Sequence, residues 1–372
     1  MIEYVTAGES HGAGLVAIVT GLPAGLRVDR AFLDAMLARR QKGYGRSERQ
    51  KMERDRATIV SGVRKGRATG NPITLRVRNR VRTLSKLPAV TRPRPGHADL
   101  AGVLKFGHGS DARDVLERSS ARETAVRTAV GGLCALLLRE FGIVVTGHVV
   151  RLGPVRFSGR LDARLRDASP FHSCDPAADR RARRAVDAAA RAGDTLGGLI
   201  EVVATGVPPG LGSNAQAEKR LDARLGAAIL AIPAIKGVEI GLGFGAAARR
   251  GSQVHDRIRE RDGRIVRPTN RAGGIEGGMS NGEPIVVRAA MKPLSTLRRS
   301  LESVDLKHGG RKDAHFERSD VTAVPAASVI CEASVAIVLA RALGEKFGGD
   351  SLEEMRRNFE GYRAQLGNRW RP

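Results

Sequence analysis

A histidine with glycines, a serine and a glutamate around it lies close to the N-terminus, in the segment Gly8-Glu9-Ser10-His11-Gly12. Glycine has no Cβ atom, so the backbone can bend sharply here and approach a ligand closely. The imidazole of His11 ordinarily titrates near neutral pH, which suits proton transfer. An ordinary glycine-rich turn could carry the same residues, so the segment alone indicates either a turn or an acid–base site.

Two basic segments could bind an anion. Residues 39–49 combine arginines and glycines in a polar loop, and a guanidinium can bind a phosphate or carboxylate through two parallel N–H donors. In residues 92–99, prolines restrict the backbone and present Arg94 and His97 at fixed positions. A solvated basic loop and a stiff surface connector are the alternative interpretations.

Further candidates lie later in the chain. Residues 118–120 precede a helical pattern in which Ser120 and Glu123 match a capping box, and a helix N-terminus with nearby Arg and Ser side chains can bind an anion. Residues 271–282 are rich in glycine but fit neither the dinucleotide-binding fingerprint nor the P-loop. Residues 292–296 offer a lysine and two hydroxyls after a strand, and Asp320 follows two residues after an arginine.

The composition is strongly basic. The 372 residues include 63 Lys+Arg and 39 Asp+Glu, which gives a formal net charge of +24. This charge attracts anions, so the partner is either a nucleic acid or a small anionic substrate or cofactor. Single-strand binders usually place aromatic rings among their basic residues, whereas only 3% of this chain is aromatic.

Cysteine usage and the N-terminus indicate a soluble, cytoplasmic protein. Cys134, Cys174 and Cys331 are widely separated, so neither a disulfide framework nor a structural metal site is expected. Cys134 and Cys331 fall in apolar helical patterns and are expected in the core. No signal peptide and no membrane-spanning stretch are predicted.

Hydrophobic periodicity predicts alternating helices and strands. Asp29 is a candidate N-cap, residues 108–140 form the longest structured stretch, and residues 245–282 are predicted to form a long mobile loop. The predicted helices are 29–40, 120–141, 176–192, 218–232 and 328–346, and the predicted strands are 15–22, 57–62, 72–77, 143–152, 198–206, 238–242 and 284–291.

Six segments together resemble the chorismate synthase family and occur in its order across residues 1 to about 346. They are GESHG at 8–12, RPGHAD at 94–99, RSSARET at 118–124, NRAGGIEGGMSNG at 270–282, KPLST at 292–296 and RSDVTAVP at 318–325. Agreement of six segments is far more specific than any single motif, and it disfavours a nucleic-acid partner.

The resemblance implies an α+β fold: a β-α-β sandwich of two pseudo-related halves, each with a four-stranded antiparallel sheet, with the helices packed between the sheets. A single domain would span residues 1–372, with residues 346–372 as a C-terminal extension or tail. The family typically forms a homotetramer.

The resemblance also implies a reaction. The expected enzyme is a carbon–oxygen lyase that makes chorismate from 5-enolpyruvylshikimate 3-phosphate by 1,4-anti elimination, the last step of the shikimate pathway. It requires reduced FMN without net redox change. An external flavin reductase is expected to supply the reduced FMN, with NADPH considered only as a source of reductant.

Site residues follow by position in the matching segments. His11 is expected to protonate the leaving phosphate, His97 to set the protonation of the flavin, and Asp320 to act with flavin N5 in removing the C6 proton. No metal is expected. The expected substrate-binding residues are Ser10, Arg40, Arg46, Arg49 and Arg94, and the expected FMN-binding residues are Arg118, Ser119, Ser120, Pro233, Ala234, Gly277, Lys292, Pro293, Leu294, Ser295, Thr296 and Arg318.

Three places depart from the family pattern: residues 108–114, Leu242 and Pro233. They leave the expected catalytic trio in place and put local flavin contacts in doubt. Arginines around the histidines are expected to disfavour imidazolium until anionic ligands bind. A basic nucleic-acid-binding protein and an inactive flavin- or metabolite-binding paralogue are the rival hypotheses.

Overall fold

The structure, a computed structural model, describes residues 1–46, 54–317 and 320–367. Its strands form two main antiparallel sheets and four small two-stranded ones. In chain order the strands are β1 (Glu3–Ala7), β2 (Gly14–Thr20), β3 (Thr58–Ile59), β4 (Val63–Arg64), β5 (Arg67–Ala68), β6 (Ile73–Arg78), β7 (Val144–Leu152), β8 (Val155–Arg156), β9 (Gly198–Thr205), β10 (Ile235–Ile240), β11 (Arg259–Arg261), β12 (Arg264–Val266), β13 (Ile275–Glu276), β14 (Met279–Ser280), β15 (Ile285–Met291), β16 (Glu302–Val304) and β17 (Arg311–Asp313).

Some of the helices form a layer that packs between the two main sheets. Within the described ranges they are α1 (Arg30–Gln41), α2 (Asp99–Phe106), α3 (Arg113–Ser119), α4 (Thr124–Arg139), α5 (Ala163–Ala168), α6 (Pro176–Arg191), α7 (Leu221–Leu230), α8 (Gly251–Val254), α9 (Val324–Phe347) and α10 (Leu352–Leu366).

The first sheet has the order β1-β2-β6-β3 and the second has the order β10-β15-β9-β7-β8. The expected α+β sandwich is therefore confirmed, with one difference: the second sheet gains a fifth strand, the two-residue β8, at its edge. Alternate residues of the inner strands point into the core, as Leu15, Ala17 and Val19 do in β2. Each sheet thus covers one side of the helical layer.

The central helix is α9, which packs against α4 and against β7 and β9. Its 24 residues are apolar on nearly all sides, as expected of a helix surrounded by protein. Small residues permit the close packing, because a Cβ added to Gly131 of α4 would lie 2.4 Å from the Cβ of Ala333. The sequence pattern predicted that this helix begins at residue 328. In the structure it begins four residues earlier, at Val324, with Pro325 in the first turn.

This helix corrects the prediction that no stretch could span a membrane. Among the described residues, Val324–Phe347 is the one helix that is long and apolar enough to span a membrane, with a mean hydropathy of 1.8. However, 94% of the 18-residue stretch that meets this criterion is buried inside the fold. Its apolar length therefore forms the core of the sandwich. Cys134 and Cys331 are fully buried, which confirms their predicted place in the core.

Two further predictions about local structure were wrong in part. Ser120 does cap a turn, because its Oγ accepts from the Arg122 backbone N–H at 3.3 Å, but this is a short 3-10 turn and α4 starts only at Thr124. The Glu123 carboxylate bonds Thr6 and Arg127 at 3.0 and 2.9 Å. Residues 245–282, predicted as one long loop, contain α8 and the hairpins β11–β12 and β13–β14.

The predicted C-terminal extension is packed structure over most of its length. Helix α10 begins after Ser351, whose side chain accepts from the Glu354 backbone N–H. Leu352, Met355 and Phe359 are buried, and the Phe359 ring packs edge-on against Phe347 at the end of α9. Burial of this apolar stripe holds α10 on the core.

Candidate active site

One cavity of about 690 Å³ brings most of the predicted site residues together. This volume falls within the usual range for a small-molecule site. Charged groups on its wall are mainly cationic: six Arg and Lys side chains face two carboxylates, those of Glu317 and Asp320. The six cations are Arg40, Arg46, Arg94, Arg122, Lys236 and Lys292. An anionic ligand is therefore favoured.

The Gly8–Gly12 segment is a tight turn after β1 that places Ser10 and His11 on the cavity wall. Gly8 has φ +107°, and a Cβ there would lie 2.2 Å from the Gly14 carbonyl oxygen, so only glycine fits. The Asn79 side-chain amide donates to the carbonyl oxygens of Glu9, Ser10 and Gly12 at 3.0 to 3.1 Å. Asn79 thus holds the turn in its bent form.

A buried carboxylate, Glu117, binds His11 through both of its oxygens. Oε1 lies 2.8 Å from the His11 Nδ1, and Oε2 accepts the His11 backbone N–H at 2.8 Å. Burial acts to raise the pKa of Glu117, but the hydrogen bonds from His11 and the nearby Arg113 outweigh it and lower this pKa. The prediction that arginines dominate the surroundings of this histidine therefore missed its closest charged neighbour.

His97 has an equivalent partner in Asp99, which is fully buried. The His97 Nδ1 lies 2.5 Å from one Asp99 oxygen, and the Arg94 Nε donates to the other at 2.8 Å. Burial acts to raise the pKa of Asp99, and the bonds from His97 and Arg94 hold it well below its usual value instead. The Arg94 Nη1 donates to Thr296 Oγ1 at 2.9 Å. Arg94 therefore links Asp99, in the 94–99 segment, to Thr296, in the 292–296 segment.

Arg40 lies at the buried end of the cavity and has few partners. Its Nη1 is 3.6 Å from Asp55, which also binds Arg122 at 2.6 and 2.7 Å. Burial lowers the pKa of Arg40 to about 10, against a smaller raising effect of Asp55. Its Nε has no hydrogen-bond partner in the part of the chain that the structure describes. Because such a buried donor is costly, Arg40 is suited to an anionic ligand.

Arg46 and Asp320 meet on the same wall, with the Arg46 Nη1 2.8 Å from an Asp320 oxygen. Both side chains are largely buried. The Nε of Arg46 is a second buried donor without a partner among the described residues. The structure thus joins the expected proton acceptor to an expected substrate-binding cation.

Four residues of the 292–296 segment, Lys292, Leu294, Ser295 and Thr296, line the cavity together with Lys236. The Lys292 Nζ donates to Ser295 Oγ at 2.7 Å, and Ser295 Oγ donates to the Gly96 carbonyl oxygen at 2.8 Å. Burial and the neighbouring charge of Lys236 lower the pKa of Lys292. Two lysines that line the same cavity and influence each other electrostatically are suited to a phosphate.

Most predicted site residues line this cavity, although three do not. Arg118 is exposed and donates to the carbonyl oxygens of Thr6 and Gly8. Gly277 is exposed in the turn of the β13–β14 hairpin, and Pro293 does not reach the wall. Arg49 and Arg318 lie outside the described residues. The predicted residues on the wall are Ser10, His11, Arg40, Arg46, Arg94, His97, Ser119, Ser120, Pro233, Ala234, Lys292, Leu294, Ser295, Thr296 and Asp320.

Sequence reasoning missed several residues that build the site. Glu117 immediately precedes the RSSARET segment, and Asp99 ends RPGHAD, so adjacency to a motif was an available signal for both. Asn79 follows the sixth strand with no motif around it. No group of three or more potential metal ligands occurs in residues 1–46, 54–317 and 320–367.

Comparison with known proteins agrees with this architecture. The family model described as chorismate synthase matches residues 2–343. The chorismate synthase of Trichlorobacter lovleyi is 53% identical, covering 98% of this chain and 99% of that protein. That of Geobacter sulfurreducens is 52% identical over 97% and 98%. A crystal structure of chorismate synthase superposes with a TM-score of 0.81 at 41% identity, covering 98% of each chain.

Proposed function

Because this chain belongs to the chorismate synthase family, we propose that it converts 5-enolpyruvylshikimate 3-phosphate to chorismate by 1,4-anti elimination of phosphate and a C6 hydrogen. Family membership makes the chain a lyase of aromatic amino-acid biosynthesis. The proposal concerns the reaction course, the requirement for reduced FMN and the place at the end of the shikimate pathway.

The observation that carries the proposal is the presence of His11, His97 and Asp320 in the lining of one cavity that also contains six Arg and Lys side chains. The substrate bears a phosphate and two carboxylates, and FMN adds a second phosphate, so about five negative charges would enter together. Six Arg and Lys side chains offset the cost of their desolvation and mutual repulsion.

The cavity residues fit FMN as well as substrate. The hydrogen-bond donors at the cavity support this fit. The buried Nε atoms of Arg40 and Arg46 have no partner among the described residues, and Lys236 and Lys292 both line the cavity. We assign Lys292, Leu294–Thr296, Ser119–Ser120 and Pro233–Ala234 to the flavin. Reduced FMN, when bound, supplies electron density that helps expel phosphate and is then recovered. The predicted contacts of Arg118, Gly277, Pro293 and Arg318 stay predictions.

The chain's own residues have distinct roles in this proposal. Arg40 and Arg46 bind substrate anions, with Ser10 beside them. His11 gives a proton to the leaving phosphate, and Asp320 accepts the C6 proton. His97, held by Asp99, donates toward the flavin ring. Such proton transfers typically contribute about 10²- to 10⁴-fold each to the rate.

The assembly state, the location and the partners of the enzyme are also part of the proposal. We expect a cytoplasmic homotetramer that acts on a small molecule, without nucleic acid or membrane partners, and an external flavin reductase that supplies reduced FMN. NADPH would act only as a source of reductant. Size-exclusion chromatography with light scattering measures the assembly state directly.

The experiment that tests the function is an anaerobic assay with reduced FMN and 5-enolpyruvylshikimate 3-phosphate, followed by chorismate absorbance. Product formation that requires reduced flavin supports the proposal. Absence of product from folded protein under reducing conditions would refute it. Tight, salt-sensitive binding to nucleic acid would favour the rival basic binding protein, and FMN binding without turnover would favour the inactive paralogue.

A further inference from the structure

Glu117 contacts His11 through both carboxylate oxygens, although Glu117 is not among the residues that line the cavity. The Glu117 side chain is fully buried, and its two oxygens accept the His11 backbone N–H and contact the His11 Nδ1, both at 2.8 Å. The Glu117 carbonyl oxygen accepts the Ser10 backbone N–H at 3.2 Å. One residue of α3 therefore fixes both the backbone and the ring at the tip of the turn.

These bonds determine which ring nitrogen carries the proton in neutral His11. The pKa of Glu117 lies below its usual value because the bonds from His11 and Arg113 outweigh the effect of burial, so Glu117 is a carboxylate at neutral pH. A carboxylate can only accept hydrogen bonds. Nδ1 must therefore carry a hydrogen, and Nε2 becomes the nitrogen that gains or loses a proton.

A second ion pair connects Glu117 to the cavity wall. The Arg113 Nη1 lies 3.6 Å from Glu117 and donates to Glu317 at 2.7 Å, while its Nε donates to the Pro88 carbonyl oxygen. Hydrogen bonding from His315, together with Arg113, lowers the pKa of Glu317 to about 2 despite its burial. The Glu317 carboxylate therefore stays charged and forms an ion pair with Arg113. Arg113 is thus shared between Glu317 and Glu117.

We propose that Glu117 is a positioning residue that holds His11 in the Nδ1-protonated form and presents its Nε2 for proton exchange with a bound ligand. Arg113, which is itself held by Glu317, lies beside Glu117 and favours its charged form. The inference rests on the proposed role of His11 as an acid, and the tautomer it assigns can be measured without turnover. The same arrangement of carboxylate and imidazole orients the base of serine hydrolases.

The test is Glu117→Gln, which keeps the shape of the side chain. A carboxamide has one acceptor oxygen and one donor nitrogen. If the oxygen keeps the His11 backbone N–H, the nitrogen faces Nδ1 and drives the proton to Nε2. We expect kcat to fall about 10²-fold while KM and the FMN dissociation constant change less than about threefold.

The matched control is Glu123→Gln. Glu123 is also a buried glutamate near the turn, but it binds Thr6 and Arg127 and does not line the cavity. We expect its kcat to stay within about twofold of the wild type. In a His11→Ala background, Glu117→Gln should change kcat by less than about twofold, because its effect passes through His11. An equal loss with and without His11 would show that Glu117 only supports the fold.

Nitrogen-15 NMR of histidine-labelled protein separates this inference from the proposed function. The His11 signals, assigned by their disappearance in His11→Ala, should show a protonated Nδ1 and an unprotonated Nε2 in neutral His11. Glu117→Gln should reverse this pattern. A wild-type His11 that carries its proton on Nε2 would overturn the inference even if the enzyme is active. An inactive wild type with the expected tautomer would refute only the function.

Discussion

Arg46 and Asp320 form a direct ion pair in the cavity wall, with 2.8 Å between Nη1 and Oδ2. Arg46 is proposed to bind a substrate anion, and Asp320 is proposed to accept the C6 proton. Because the two charges are paired and largely buried, a substrate anion that binds Arg46 would share its guanidinium with Asp320. We therefore expect substrate binding to change the readiness of Asp320 to accept a proton.

Substitution on the two sides of this pair should have opposite effects. Asp320→Asn releases Arg46 to the substrate, so KM should stay within about threefold or fall, while kcat decreases at least about 10²-fold. Arg46→Gln should raise KM about tenfold or more, since a charge-assisted bond to the substrate is lost. Anaerobic steady-state kinetics measure both. A raised KM without loss of kcat in Asp320→Asn would contradict the assigned roles.

His11→Ala should abolish most of the turnover without displacing the flavin. The imidazole is assigned to the leaving phosphate, and loss of a general acid typically costs at least about 10²-fold in rate. FMN titration under anaerobic conditions should give a dissociation constant close to that of the wild type. Equal losses of flavin affinity and of turnover would mean that His11 supports the cavity structure instead.

Local pattern was sufficient to predict the elements with strong periodicity. Asp29 and the apolar spacing after it located α1, and apolar β-branched runs located β7 and β9. The short β8 and the hairpins within residues 245–282 were missed because two- or three-residue strands are defined by their partners, and no periodic signal of that length exists.

Most of the cavity residues that were predicted lie in the six family-like segments or in the basic segment 39–49. His11, His97 and Asp320 were predicted because they lie in segments that resemble a family. Glu117 binds His11 across 106 residues of sequence, and Asn79 binds Glu9 across 70. Such partners are brought together by the fold alone, and nothing in the residues around Asn79 indicates that its amide will hold a distant turn.

Removal of the Asn79 side chain should destabilise the protein and impair catalysis together. Asn79→Ala leaves three carbonyl oxygens of the turn without their donor and also removes the acceptor of the Arg122 Nε at 2.9 Å. We expect a loss of about 2 kcal/mol in the free energy of unfolding and a clear fall in kcat, measured by urea unfolding and by the anaerobic assay.

Asn358→Ala is the control for this variant. Asn358 lies in α10 and is not part of the cavity lining. Its side chain donates one hydrogen bond to the Phe347 carbonyl oxygen at the end of α9. It should lower stability by about 1 kcal/mol without changing kcat. If Asn79→Ala leaves kcat unchanged as well, the turn does not need its bent form for activity.

His172 should make the protein sensitive to mild acid. This residue is buried, and its Nδ1 donates to the Pro325 carbonyl oxygen at 2.9 Å. Burial, with Arg39 and Arg166 nearby, lowers its pKa to about 4 and outweighs the raising effects of that hydrogen bond and of Asp167. The unfolded chain takes up the proton near pH 6.5, so stability is complete above about 6.5 and declines between 6.5 and 4, by on the order of 3 kcal/mol.

His172→Asn tests this, because asparagine can donate to the same carbonyl and tolerates the φ of +53° at this position. Unfolding free energies from pH 7 to pH 4 should decline less in the variant than in the wild type. His308→Asn, an exposed histidine, should follow the wild-type curve. Parallel curves for all three proteins would show that His172 does not contribute to the acid sensitivity.

Two helical glycines should respond in opposite directions to alanine. At Gly131 of α4, a Cβ would lie 2.4 Å from the Cβ and 2.6 Å from the Cα of Ala333 in α9, so Gly131→Ala must separate the two central helices. Overpacking of this kind typically costs about 1–3 kcal/mol. At Gly361 of α10, no atom lies within 4 Å of the added Cβ, and Gly361→Ala should stabilise the helix by about 0.5–1 kcal/mol.

Ala333→Gly in the Gly131→Ala background shows whether the helix contact causes the loss. It removes the 2.4 Å clash between Cβ atoms but leaves the added Cβ 2.6 Å from the Cα and 2.7 Å from the carbonyl oxygen of residue 333. The melting temperature should therefore recover only in part. Full recovery would mean that the backbones can already separate enough to accept one Cβ, and no recovery would place the strain elsewhere. Partial recovery would identify the backbone of α9 as the surface that requires glycine at position 131.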